Sequence, residues 1–485
     1  MNIVEPIHEH ARAKGDAPAV FLRHRRVTWR ELSEFIDAAA VLFRRRGLAA
    51  GQRVGLCCEG PLLHLVAALG LAQAGVAHVA LPAGDLHSAR QRIIDKLRLD
   101  AVIADKQPVL ESQPNGLLFD RVPKFPAKSR PEVPPPHGDA DMGWLILQSS
   151  GTTGEPKFAE LSHALSMARF ERFPSLYGCG PDDVFWPVSR LEFVVAKQRA
   201  VCALQAGAAV CLAARGPITA ELLDFLRRSG VTLACGTPLQ MHNLLALVDQ
   251  TQPLPALRAF EVRSATVSER LRREFREKFC PGLHVVYGTN EGEALAIASP
   301  ELQSRVRDTV GVATPSMEIQ VVDPDGVPLA PGGVGEVRAR GAGVVSRYID
   351  NAEATARSFR DGWFHPGDIA FMTAEGAVVL QGRKDDMMIC DGMNIYPAEI
   401  ENALLEHPAV KEAAAYPIKH PQAQDMPAAA VTLESPATEQ ELIRHCRERI
   451  GLSYPRVVRI MDELPRNPMG KVLKRKLSAE GLPAA

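Results

Sequence analysis

The chain has 485 residues, 46% hydrophobic and 23% charged, with a formal net charge of -1. At roughly 100–200 residues per domain, that length exceeds one compact core and predicts two to four units. The near-neutral balance excludes an overall electrostatic drive toward nucleic acid or an anionic membrane surface.

The first residues, with Glu5, His8 and Glu9, lack the basic segment and apolar core of a signal peptide. Thr28-Trp29-Arg30-Glu31 carries a Ser/Thr-x-x-Glu capping signal, and apolar residues then recur at helical spacing through Phe43. Arg53 to Cys57 reads as a strand, Leu62 to Gln73 as a helix and Ala77 to Leu81 as a second strand. The membrane-like window from Leu62 to Leu81 holds His64, Gln73 and His78 and is broken by Gly75, so a buried helix and a buried strand explain it better. Nine cysteines, from Cys57 to Cys446 with no Cys-x-x-Cys pair, point to free thiols in a reducing, cytoplasmic setting. Residues 122–136 contain six prolines and read as a surface connection. Trp144 to Leu147 is the strand that follows it. Such alternation predicts an α/β fold with helices on largely parallel sheets. From about Gly311, short strands such as Ile319 to Val322 and Gly335 to Ala339 alternate with Pro-Asp-Gly and Pro-Gly-Gly turns, which predicts a β-rich subdomain over about 311–382. After Gly382-Arg383 the pattern restarts: a strand from Met387 to Ile389, a helix from Pro397 to Leu405 and a strand from Val410 to Tyr416.

Five segments carry chemistry. Ser149-Ser150-Gly151-Thr152-Thr153-Gly154-Glu155-Pro156-Lys157 crowds glycines, hydroxyls and one lysine after a strand. Glycines let the backbone turn where a β-carbon would clash, successive N–H groups and hydroxyls then converge on phosphate oxygens, and Lys157 adds a point charge. The spacing is not that of a Walker loop. Tyr287-Gly288-Thr289-Asn290-Glu291 follows the apolar strand Leu283 to Val286, and an aromatic ring, a tight glycine and a carboxylate at a strand end suit a nucleotide site. Asp361 to Asp368 ends in a carboxylate whose two oxygens match a vicinal diol. Gly382 to Asp386 with Gly392 to Glu401, and Pro465 to Lys471, complete the set.

In this order the five motifs resemble those of the adenylate-forming enzymes: acyl-CoA synthetases, peptide-synthetase adenylation domains and firefly luciferase. The resemblance runs from Thr28 to Lys471 and implies an N-terminal ATP- and acid-binding domain over 1–383 and a small mobile α+β lid over 384–485. It implies that Ser150, Gly151, Thr152, Thr153, Gly154 and Lys157 hold the ATP phosphates. Ser264 and Ala265 fall in the adenine segment, where Arg263-Ser264-Ala265-Thr266 replaces a common Gly-Gly-Ala. Tyr287, Gly288, Thr289 and Asn290 fall in the motif Tyr-Gly-x-Thr-Glu, with Asn290 in place of the threonine whose hydroxyl lies near the α-phosphate. Tyr287 then lies against adenine, Glu291 serves Mg²⁺, Asp368 binds the ribose, and Arg383 binds ribose or phosphate. Asp385 is the hinge, Gly392 leaves space for a pantetheine arm, and Lys471 is the catalytic lysine. A carboxylate attacking the α-phosphate brings two anions together, and a fixed ammonium stabilises the charge that grows there.

The acid pocket is assigned to Arg190, Phe193, Val194, Lys197 and Gly236. Phe193-Val194 align with the Phe-Asp pair of amino-acid-activating domains; Val194 cannot hold an ammonium, so the substrate is not an α-amino acid. Arg190 stands where many acyl and aryl relatives carry histidine. Lys197, seven residues on, is read as two helical turns away on the same face. The pair is either a cationic pocket for a polar or anionic acid or surface charge on a helix flank. The implied reaction converts a carboxylic acid and MgATP to acyl-adenylate and pyrophosphate, after which a thiol displaces AMP. Coenzyme A is the expected thiol, with phosphopantetheine on a carrier protein as the alternative. A catalytically inactive nucleotide- or acyl-binding relative is a further alternative. The expected protein is a cytoplasmic monomer or homodimer with no nucleic-acid partner and no membrane insertion.

Overall fold

A computed structural model describes residues 1–111, 113, 115–125, 133, 135–150, 156–213, 216–248, 253–390, 393–420, 424–466 and 472–479. Local signals set many element boundaries. Thr28 caps the helix Trp29–Arg45 through a reciprocal box in which its hydroxyl accepts from the Glu31 N–H and the Glu31 carboxylate accepts from the Thr28 N–H. The window read as a buried helix and strand is the helix Pro61–Ala74 and the strand Ala77–Ala80, both packed inside. Among the described residues no helix is long and apolar enough to cross a membrane.

Two parallel sheets form the framework. One orders Gly116–Leu118, Ala101–Ala104, Arg53–Cys57, Ala77–Ala80 and Gly143–Ser150 in parallel, with Pro156–Ser162 returning antiparallel. In the other, Pro18–Leu22, Ala209–Cys211, Val184–Pro187, Leu233–Gly236, Ala259–Val262 and Leu283–Thr289 run parallel between antiparallel edges. Helices such as Pro61–Ala74 and Val194–Gln205 fill the space around them. A third, antiparallel sheet contains Met317–Val322, Gly335–Gly341, Asp368–Met372 and Val378–Arg383, as the turn-rich sequence predicts.

The chain beyond Arg383 builds its own sheet from Met388–Cys390, Met393–Ile395, Gln424–Leu433, Val410–His420 and Val457–Ile460. Helices Pro397–Leu405 and Glu439–Ile450 close a separate apolar core around Ile400, Leu404, Val431 and Leu442. Polar ties connect it to the larger part: Arg270 donates to the Pro408 carbonyl at 3.3 Å, and Arg307 pairs with Glu406.

Candidate active site

In each parallel sheet the strands end on one edge, with Cys57, Ala80 and Ser150 in the first and Pro187, Gly236, Val262 and Thr289 in the second. Loops leaving such an edge are where α/β sheets bind ligands. Gly288 keeps its loop tight, since a β-carbon there would come within 2.0 Å of the Glu293 carbonyl oxygen. Tyr287 is buried and its hydroxyl donates to Asp368 Oδ2 at 2.5 Å, while Arg383 Nη1 donates to Asp368 Oδ1 at 3.0 Å. Three residues from three motifs thus meet on one carboxylate. Each oxygen keeps a further lone pair for a ribose hydroxyl.

Beside them Glu291 is buried, with Oε1 accepting from the Tyr348 hydroxyl at 2.8 Å and its carbonyl accepting from Arg169 Nη2 at 2.6 Å. Lys157 Nζ lies 5.0 Å from the centre of the Tyr348 ring. Burial lowers the Lys157 ammonium pKa, as do Arg357 and Arg383, while Glu291 and Asp385 act the other way, so these groups share one electrostatic field. Asn290, in the threonine position, donates from Nδ2 to the Gln148 carbonyl at 2.6 Å and ties this loop to the strand that feeds the phosphate loop. The Thr289 hydroxyl accepts from the Gly292 N–H at 3.0 Å and closes the turn. Among the described residues no cluster of three or more His, Cys, Asp or Glu could hold a metal. A single carboxylate such as Glu291 fits Mg²⁺, which is held largely by phosphates and water. Asp385 lies in the 3₁₀ turn Lys384–Asp386 between the two parts. Gly151, Thr152, Thr153, Gly154, Gly392, Lys471 and the side chain of Ser150 lie outside the described residues.

Ser264 and Ala265 are exposed on the loop after Ala259–Val262. Ser264 holds φ at 79° and Glu293 at 65°, left-handed conformations that non-glycine residues rarely adopt. A buried charge network lies beside both. Arg263 is buried and pairs with Glu261 and, at 2.9 Å, with Glu293. Arg199 reaches both carboxylates, at 3.1 Å and 2.7 Å, and Arg172 lies 3.5 Å from Glu293. Burial works to raise the Glu293 carboxyl, but Arg199, Arg263 and Arg172 outweigh it and hold the carboxyl at about 2. This network links the helix Val194–Gln205, the adenine segment and the loop carrying Glu291. Nothing in the local sequence marks it, because its members are scattered from 172 to 293. Arg199→Met is expected to cost about 3–5 kcal/mol by stranding buried carboxylates. A urea-unfolding difference below about 1 kcal/mol would contradict the network's role.

The acid-pocket residues are placed differently from the helical reading. Arg190 is not on the helix, which begins at Val194; the segment 188–193 is a turn in which the Phe193 N–H donates to the Arg190 carbonyl at 3.0 Å. Arg190 and Lys197 therefore do not share a helix face. Arg190 pairs with Glu192 at 3.0 Å and covers the Phe193 ring. Lys197 is neither surface charge nor part of an open cationic pocket. It is buried, and its Nζ donates to His78 Nε2 at 2.8 Å. Phe193 and Val194 are half-buried at the start of the helix. Gly236 ends its strand where a β-carbon would meet Phe260 at 2.9 Å and Gln240 at 3.0 Å. Burial, the largest influence, brings the Lys197 ammonium down to about 7, with Glu192 pulling upward. An unfolded lysine stays protonated to about 10.4. Between about pH 7 and 10 this group binds more protons in the unfolded chain, so the Lys197 contribution to stability rises with pH across that window. Lys197→Met is expected to flatten that rise in a Tm–pH profile; an unchanged slope would refute it.

A family model described as AMP-binding enzyme matches residues 7–349, and one for the AMP-binding enzyme C-terminal domain matches 399–471. The chain belongs to the AMP-binding enzyme family. The long-chain-fatty-acid–CoA ligase of Escherichia coli O157:H7 is 26% identical over 99% of this chain and 94% of that protein. The indoleacetate–CoA ligase of Aromatoleum aromaticum is 32% identical over 68% of this chain and 66% of that protein. A solved O-succinylbenzoate coenzyme A synthetase from Bacillus subtilis, in complex with ATP and magnesium ion, superposes with a TM-score of 0.87 at 23% identity, covering 97% of this chain and 98% of that one. The expectation of an adenylate-forming, AMP-forming ligase of the acid–CoA type holds, as does that of a large α/β N-terminal domain with a small C-terminal one. Arg169, Arg172, Arg199, Glu261, Glu293 and Tyr348 are this AMP-binding enzyme's contributions that sequence reasoning missed.

Proposed function

We propose that this enzyme activates a carboxylic acid lacking an α-ammonium group and transfers the acyl group to coenzyme A. The acid's carboxylate oxygen attacks the α-phosphorus of ATP, pyrophosphate leaves, and the thiol sulfur then attacks the acyl carbon to release AMP. In this reading Asp368 orients the ribose, braced by Tyr287 and Arg383, and Lys157 faces the phosphates. Glu291 is the carboxylate for Mg²⁺, which supplies charge neutralisation on the phosphates when bound. Lys471 steadies the crowded anions during attack. Rotation about Asp385 exchanges that lysine for the Gly392 loop, a gating step of a common kind.

The observation that carries the reading is the meeting of Tyr287 and Arg383 on the Asp368 carboxylate, beside a buried Glu291 and the half-buried Lys157. Val194, in place of an aspartate, supports exclusion of amino acids. The relatives named as CoA ligases support coenzyme A as acceptor. ATP–pyrophosphate exchange across a panel of acids, followed by thioester assay with coenzyme A and with a phosphopantetheinylated carrier protein, tests both halves. Silence across the panel defeats adenylation. Thioester on the carrier but not on coenzyme A defeats the acceptor.

A further inference from the structure

The loop that follows the strand Gly335–Gly341 is locked onto Glu291 from two directions. Arg169, fully buried, donates from Nε to the Gly343 carbonyl at 2.7 Å and from Nη2 to the Glu291 carbonyl at 2.6 Å. The Val345 N–H donates to the same Glu291 carbonyl at 3.0 Å. Further along the loop, buried Tyr348 is held from behind. Its N–H donates to the Thr355 hydroxyl at 3.0 Å, and its ring packs on Phe359 with centres 5.3 Å apart. The next residue, Ile349, donates its N–H to the carbonyl of Phe158, the neighbour of Lys157, at 2.7 Å.

Two charged groups of the nucleotide site therefore converge on one aromatic side chain. The Tyr348 hydroxyl donates to Glu291 Oε1 at 2.8 Å, and its ring centre lies 5.0 Å from Lys157 Nζ. Among the described residues no other group donates to the Glu291 carboxylate and no lysine or arginine pairs with it, while Oε2 is not sealed from solvent. The chemistry of this clamp is specific. A guanidinium or ammonium on Oε1 would orient the carboxylate but neutralise the charge that a divalent cation needs. A phenol orients it and leaves the charge in place. Burial, then Glu291, raise the pKa of the phenol, so it stays a donor. A carboxylate already held in one rotamer also loses less freedom when it takes a ligand.

We infer that Tyr348 is a positioning residue for Mg²⁺ and ATP: its hydroxyl fixes Glu291 so that Oε2 is presented to the metal, and its ring steadies Lys157 for the phosphates. The inference rests on the proposed reaction, which gives Glu291 to Mg²⁺ and Lys157 to the phosphates, and adds the residue that sets both. Partners of this kind behind a metal-binding carboxylate are typically worth about 10–100-fold in metal affinity.

The probe is the α,β-methylene analogue of ATP, titrated by calorimetry with saturating Mn²⁺ and again with EDTA, without acid or thiol. In the wild type Mn²⁺ is expected to tighten binding. In Tyr348→Phe, which keeps the ring, that gain is expected to shrink about tenfold, while the affinity in EDTA stays within about twofold. In a Glu291→Gln background, adding Tyr348→Phe is expected to cost nothing further, because the hydroxyl acts only through that carboxylate. Tyr348→Leu lacks both hydroxyl and ring. It is expected to show the same loss with Mn²⁺ and, as Lys157 loses its aromatic face, a fall of about threefold in EDTA. That variant gives a second reading should the phenylalanine one fail to fold. No gain from Mn²⁺ in the wild type, equal weakening with Mn²⁺ and EDTA in Tyr348→Phe, or additive losses in the double variant overturns the proposal. AMP release is followed separately: Mn²⁺-dependent binding that Tyr348→Phe weakens, without AMP from any acid, defeats the reaction and leaves the positioning role standing.

Discussion

Asp368→Asn is expected to lower kcat/KM for ATP by about 100-fold, the equivalent of one lost charge-assisted hydrogen bond network of about 2–3 kcal/mol. The carboxylate takes the Tyr287 hydroxyl on one oxygen and the Arg383 guanidinium on the other. An asparagine offers one acceptor and one donor. If its oxygen faces Tyr287, its NH₂ group faces Arg383, and two donors are opposed in a half-buried site. If it flips, the ribose loses the paired acceptors that match a vicinal diol. Either arrangement leaves Arg383 without its countercharge. Pyrophosphate release measured against ATP concentration at fixed acid should show the loss mainly in KM for ATP. A change of less than about threefold would remove Asp368 from the nucleotide site.

The second large effect concerns the lid. Lys471→Met is expected to reduce acyl-adenylate formation by about 10²–10³, since removing one fixed charge from a developing anionic centre costs about 3 kcal/mol. Conversion of a preformed acyl-adenylate to thioester should stay near the wild-type rate, because no pentavalent phosphorus forms in that step. The residues on either side are tied down: Arg466 and Val472 form an antiparallel bridge, and the Leu473 N–H donates to the Pro465 carbonyl at 2.7 Å. Lys474 is not an alternative amine. It pairs with Glu401 at 2.6 Å at the start of the helix Lys474–Ala479, so Lys474→Met serves as the control and should leave adenylation within about threefold. Equal loss in both variants would mean that the tail contributes only general positive charge.

What was legible in the sequence is what short-range chemistry controls. The capping box at Thr28, the alternation of apolar runs around Arg53–Cys57 and the proline at the start of Pro397–Leu405 each fix an element without help from distant residues. The motif residues Tyr287, Asp368 and Arg383 were legible as a set, although only the fold reveals that they share one carboxylate. Arg190 was misplaced because the segment from Val188 to Phe193 carries no glycine or proline to announce its turn, and helical spacing was extended through it. Lys197 and Arg199 were illegible for a different reason. A run of Lys-Gln-Arg reads as a solvated helix face, yet here all three side chains are buried, and the partner of Arg199 at Glu261 lies 62 residues away. Charge inside a core is permitted only by partners that no local window contains.

The arginines beneath the adenine segment also bear on how this scaffold can be re-engineered. Arg263 cannot be exchanged for a relative's glycine as a loop edit, because Glu261 would then keep only Arg199, and Glu293 only Arg199 and Arg172, where Arg263 now pairs with both. A graft that recruits a different base must therefore carry residues 172, 199, 261, 263 and 293 as one inherited block, and hybrids cut between the helix Val194–Gln205 and this loop should misfold more often than those cut at Arg383.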